Sequence, residues 1–317
     1  MPRLTTMLAA LSLAALPDAA GAQQVRVALL SLTPLDAAFR SWVGPELEKG
    51  GFVAGRNLVV DLRHGSQQDL PAIARDIVNN RPDVVIAVSS ASLAAVHAAS
   101  PSVPIVTAGA DPVGLGFAQS FARPGGSATG FVVSGAELDA KRLELLTQIF
   151  GTGQPLAALL LSGFPANVLV EKAMQDAASR IGMTVKYQAA AGPADYEDAI
   201  KAVQASGARG MVVTTNPVFF RDMPQISELA TSAAVATICE WPEAAERGCL
   251  IGYGPSRADL YVGVTQLALR ILKGSRPGEI PIERPSRFEL AINAAVARRL
   301  RLELPPDFIA RADRLIE

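Results

Sequence analysis

Val27-Ala-Leu-Leu-Ser31-Leu-Thr33-Pro34 is answered later in the chain by Ala158-Leu-Leu-Leu-Ser162-Gly-Phe164-Pro165. Each is a short apolar run that breaks into small or polar residues ahead of a helical pattern. The parallel continues in order. Val84-Val-Ile-Ala-Val-Ser89-Ser90 corresponds to Met211-Val-Val-Thr-Thr-Asn216, and Pro104-Ile-Val-Thr-Ala108 to Val235-Ala-Thr-Ile-Cys239. A duplication of strand–helix units predicts two similar, doubly wound α/β lobes, and a ligand belongs in the cleft between them.

Working outward, strands are expected near 25–31, 57–63, 83–88, 104–108 and 129–133, with helices near 35–49, 69–79, 91–99, 115–122 and 136–149. The second lobe predicts strands near 156–161, 183–189, 209–214, 235–239 and 249–252, and helices near 166–181, 195–205 and 220–233. Asp69, Asp111 (ahead of Pro112) and Gly182 read as helix-boundary residues. Arg257 to Lys273 forms a further helical pattern, expected to return to the first lobe. Phe288 to Asn293 and the terminal helices are expected to return to the second. The lobes then comprise 23–131 plus about 254–282, and about 132–253 plus about 283–317. Three connections of this kind form a hinge.

The chain has 317 residues, enough for two domains, and half of them are hydrophobic, which suits parallel-sheet cores. Its 29 basic and 30 acidic residues give a net charge of −1, and no basic block stands out, which argues against a nucleic-acid partner. Residues 1–22 read as a signal peptide. Arg3 is the positive n-region, Met7 to Leu16 is apolar but too short to span a bilayer, and Ala20-Gly-Ala22 is a small-residue cleavage site. The mature protein is therefore expected in the periplasm of a bacterial host. There Cys239 and Cys249, the only two cysteines, either bridge or pack as free thiols.

Several stretches resemble the ABC-transporter substrate-binding proteins of the tryptophan/tyrosine-type group. They are Thr107-Ala-Gly-Ala-Asp-Pro-Val-Gly-Leu-Gly116, Ala122-Arg-Pro-Gly-Gly-Ser-Ala-Thr-Gly130, Glu137-Leu-Asp-Ala-Lys-Arg-Leu-Glu-Leu-Leu146 and Gly252-Tyr-Gly-Pro-Ser-Arg-Ala-Asp-Leu-Tyr261. Pro285 to Asn293 and Pro305 to Asp313 fit as well. The resemblance implies the type I periplasmic binding fold and delivery of a small solute to an inner-membrane ABC permease driven by a separate ATPase.

At the expected cleft, Ser89, Ser90 and Ser92 lie where a strand ends and a helix begins, a place whose free N–H groups favour a carboxylate. Ser90 is equally suited to cap that helix. At the next strand end are Ala108, Gly109, which permits close backbone approach, and Asp111, a partner for an ammonium group or a cap. On the facing lobe Asn216 offers donor and acceptor, while Glu240 is an ammonium partner or a solvated loop charge. Ser31, Thr33, Ser162 and Phe164 end the first strand of each lobe and are expected at the rim. Trp241 and Tyr253 supply apolar cover for a solute or pack internally, and Trp42 reads as core.

These groups suit an amino acid or related small carboxylate. Only two histidines are present, and no metal-ligand cluster, nucleophile elbow, Walker A motif or complete dinucleotide fingerprint appears. Gly114-Leu-Gly116 begins like such a fingerprint, but Gln119 replaces its last glycine. The expectation is a binding protein with no metal or cofactor, not an enzyme. The alternative is a ligand-sensing periplasmic module of a signalling system.

Overall fold

Runs of Val, Leu, Ile and Ala between helical segments form buried parallel strands. The computed structural model describes residues 24–133 and 135–317, so the proposed signal peptide lies outside the described residues. Strands β1 Val25–Ser31, β2 Leu58–His64, β3 Val84–Val88, β4 Ile105–Gly109 and β5 Ala128–Val132 form a parallel sheet in the order β2-β1-β3-β4-β5. Strands β6 Leu156–Leu161, β7 Val185–Ala190, β8 Gly210–Val213, β9 Ala236–Cys239 and β10 Ile251–Gly254 repeat that order as β7-β6-β8-β9-β10. Here the sheet gains antiparallel β11 Glu289–Asn293 and then β12 Arg314–Ile316, parallel to β11.

The helices in chain order are α1 Asp36–Ala38, α2 Gly44–Lys49, α3 Leu70–Asn79, α4 Ser90–Ala99, α5 Gly135–Phe150 and α6 Asn167–Arg180. They continue as α7 Tyr196–Ala205, α8 Pro217–Ser232, α9 Glu243–Glu246, α10 Arg257–Leu272, α11 Ala294–Arg299 and α12 Pro306–Ile309. One face of the first sheet packs on α3 and α4 through Leu70, Ala74, Ile77, Leu93 and Val96. The other face packs on α1, α2 and α10, where Leu260, Val264 and Leu267 join Leu29, Ile86 and Val106. Among the described residues the chain passes between the sheets three times: from β5 into α5, from β10 into α10, and from Glu283, which pairs with β5, into β11.

Two expected helices differ. The one at 35–49 is interrupted by a π-helical turn, Phe39–Val43, where Gly44 N–H bonds Phe39 O five residues back and Pro45 brings no N–H to the ladder. The one at 115–122 is a series of turns. Asp111 Oδ1 accepts from Val113 N–H at 2.9 Å and Gly114 N–H at 3.0 Å, and Gly116 at φ +81° leaves the helical region. Asp69 sits at its helix start but bonds Ser66 instead of capping forwards. Gly182, at φ +67°, follows the end of α6 as expected.

Candidate ligand-binding site

In parallel sheets the carboxyl ends of strands feed helix N-termini, and in both sheets these ends line one cavity of about 340 Å³. Ser89, at the end of β3, takes φ +112°, and its Oγ accepts from Ser92 N–H at 3.3 Å. Ser89 is therefore the cap of α4, not Ser90. The Ser90 hydroxyl is buried, with the residue 2% exposed, and has no hydrogen-bond partner, while Ser90 lines the cavity. Ser92 lies one step deeper in the helix. Its hydroxyl turns back to Val88 O at 3.2 Å and does not reach the cavity.

Ala108, Gly109 and Asp111 line the same cavity from β4, and Gly109 adopts φ +86°. Asp111 spends one carboxylate oxygen on the turn that follows. From β1, Thr33 reaches the cavity, whereas Ser31 is buried beneath it, its Oγ accepting from Thr33 N–H at 3.2 Å. Phe164 lines the facing side. Ser162 does not, but its carbonyl accepts a hydrogen bond from Gln67 of the first lobe at 2.9 Å. Asn216 lines the cavity as the cap of α8: Oδ1 accepts from Phe219 N–H at 2.8 Å and the amide nitrogen donates to Thr214 O at 3.1 Å.

The end of β9 brings Glu240 and Trp241 into the cavity. Trp241 adopts φ +66°, and the backbone bends so sharply that a Cβ on Gly252 of β10 would lie 2.4 Å from Trp241 O. Cys239 and Cys249 are joined by a disulfide with Cα atoms 6.4 Å apart, closing the segment that carries both cavity residues. Tyr253 falls between Gly252 and Gly254, so strand alternation sends its ring to the opposite face, where it stacks on Phe288 at 6.3 Å. It does not line the cavity.

Glu240 is 5% exposed, so it is not a solvated loop charge. Burial pushes its carboxyl up to about 8, and Asp139 adds to this while Arg142 and Arg257 pull the other way. Arg142 and Asp139, both fully buried on α5, form an ion pair at 2.5 Å. The same guanidinium donates to Thr215 Oγ1 at 2.9 Å and to Tyr253 O at 2.9 and 2.8 Å. Burial raises the Asp139 carboxyl, against the pull of Arg142 and Thr215. The pair thus ties α5, the loop after β8 and the end of β10 together at two of the three crossings.

Sequence reasoning missed Thr215, Phe220, Arg257 and Tyr261, all of which line the cavity. Arg257 stands in the first turn of α10, where the helix dipole disfavours a cation, and that misplacement was the available signal. Among the described residues no group of three or more His, Cys, Asp or Glu side chains is placed to hold a metal ion.

A family model described as ABC transporter substrate binding protein matches residues 40–316. A tyrosine-binding protein of Clostridioides difficile (strain R20291) is 24% identical over 273 residues, 85% of this chain and 78% of that protein. A conserved domain protein from Vibrio cholerae has a crystal structure with TM-score 0.84 at 22% identity, covering 92% of this chain and 100% of that one. The structure of an ABC domain from Streptococcus pneumoniae in complex with L-Trp has TM-score 0.82 at 19% identity, covering 93% and 100%. These likenesses show the type I periplasmic binding fold.

Proposed function

Because the chain belongs to the ABC transporter substrate-binding protein family, we propose that it captures an amino acid or related small carboxylate outside the cytoplasm and presents it to an ABC importer's permease, which a separate ATPase drives. The observation that carries this reading is one cavity holding both an unpartnered Ser90 hydroxyl at the start of α4 and a buried carboxyl, Glu240, on the facing sheet. The helix start suits a ligand carboxylate, and Glu240 suits an ammonium group. Trp241, Phe220 and Phe164 supply apolar surface for a side chain.

The tyrosine-binding relative and the L-Trp complex favour an aromatic side chain among such ligands. The lobes are 23–131 with about 254–282, and about 132–253 with about 283–317. They close about the three crossings so that Ser90 and Asn216 meet one ligand, and the permease reads the closed form. Residues 1–22 direct export and are then removed, leaving the mature protein in the periplasm. No helix among the described residues is long and apolar enough to cross a membrane.

Micromolar binding corresponds to about −8 kcal/mol, within reach of a few desolvated hydrogen bonds and apolar contact without chemistry. The test is mass spectrometry of the small molecule released on denaturing freshly purified protein, followed by calorimetric titration with that compound. Release of an amino acid or small carboxylate that rebinds one to one is the expected result. A neutral sugar or polyol in its place would overturn the ligand class.

A further inference from the structure

Arg257 is a cation set in aromatic rings from both sides of the cleft. Its guanidinium carbon lies 4.4 Å from the ring centre of Phe220, which belongs to α8 of the second lobe. It lies 5.5 Å from Trp42 and 5.8 Å from Tyr261, which pack on the first sheet. Trp42 and Tyr261 are themselves stacked, with centres 5.5 Å apart and planes 12° from parallel. A guanidinium beside aromatic rings gains cation–π attraction and can still donate hydrogen bonds in its own plane. Arg257 meets Glu243 through its backbone N–H at 3.4 Å, and among the described residues no carboxylate lies within ion-pair distance of its guanidinium. Its charge is felt by the buried Glu240 carboxyl and by the Tyr261 hydroxyl. A guanidinium that lines the cavity and stands in ion-pair contact with no carboxylate is open to an anion from outside the chain.

We propose that Arg257 is a ligand-binding residue that holds the carboxylate of the bound solute from the hinge side of the cavity, alongside the Ser90 end of α4. This rests on the proposed capture of a carboxylate ligand. Arg257 stands on a helix of the first lobe and Phe220, against its guanidinium, on a helix of the second, so the proposed anion site lies at the contact between the lobes.

The test pairs a protein change with a ligand change. L-tyrosine and L-tryptophan are titrated calorimetrically beside tyramine and tryptamine, which lack the carboxylate, and beside 4-hydroxyphenylacetate and indole-3-acetate, which lack the amine. Wild-type, Arg257→Met and Arg257→Lys proteins are compared, with thermal unfolding measured for each. The expected result is a loss of about 10- to 100-fold for carboxylate-bearing ligands in Arg257→Met. Affinity for the amines should change little, so the discrimination between the two kinds of ligand collapses. Arg257→Lys, which keeps the charge but not the fork, should restore part of it, and it carries the comparison if Arg257→Met does not fold.

Equal losses for acids and amines would overturn the proposal and make Arg257 a packing residue. Unchanged affinities, or no carboxylate bound by the wild-type protein, would also overturn it. Binding of the aryl acetates but of neither amino acid, with the same dependence on Arg257, would sustain the carboxylate anchor while sinking the amino-acid reading.

Discussion

Glu240, its carboxyl pushed up to about 8, is mostly protonated at neutral pH in the empty cavity. An ammonium ligand favours the ionised form, so binding at pH 7 should release close to one proton, and affinity should rise as pH approaches 8. Calorimetry in buffers of different ionisation enthalpy reads this directly; a heat independent of buffer would mean that Glu240 does not meet a cation. The linkage to stability has a definite sign. An unfolded chain ionises this group near 4.5, whereas the folded one holds its proton, so its contribution to stability falls as pH rises from about 4.5 to about 8. Glu240→Gln should flatten that dependence in thermal unfolding. Ser90 and Asn216 separate along another line. The Ser90 hydroxyl has no partner, so Ser90→Ala should cost ligand affinity about five- to thirtyfold with no loss of fold stability. Asn216 caps α8, so Asn216→Ala should cost about 0.5–2 kcal/mol of stability as well as affinity. Unfolding and titration of both variants check the contrast.

Among the elements, the end of β9 is built by its neighbours. The disulfide closes residues 239 to 249, and Gly252 leaves room for the bent backbone at Trp241. Gly252→Ala places a methyl group against main-chain oxygen, which cannot give way as a flexible side chain can, so it should weaken ligand binding sharply by displacing Glu240 and Trp241. The double change Cys239→Ala, Cys249→Ala should lower the unfolding temperature and weaken binding less. If Gly252→Ala binds as tightly as wild type, the bed beneath Trp241 is not what aims these side chains. Most strands and helices were legible in the sequence because parallel-sheet runs such as Val84–Val88 are apolar without interruption, and because the two halves repeat. The turns at 111–118 were not, since Asp-Pro reads as a helix start and the left-handed Gly116 only later redirects the chain. The site was legible where a strand end feeds a helix, as at Ser90 and Asn216. Tyr253 departs from the expectation because alternation on a four-residue strand depends on register, and Arg257 carries no local motif in a helix whose dominant pattern is its apolar stripe.

For the whole molecule, the proposed closure is a hinge rotation about the three short crossings. Saturating ligand should compact the protein in small-angle scattering, with a smaller radius of gyration, and an identical profile at demonstrated saturation would count against closure. The crossings carry a second consequence, for biogenesis. The face of the first sheet that packs on α1 and α2 is completed by α10, which follows every strand of the repeated second unit from β6 to β10 in the chain. An emerging polypeptide therefore leaves Leu29, Ile86 and Val106 without Leu260, Val264 and Leu267 until most of the second sheet has been synthesised. That layer is completed late, through contacts of long sequence separation, so a nascent chain cut short before α10 leaves part of this apolar face uncovered and open to association.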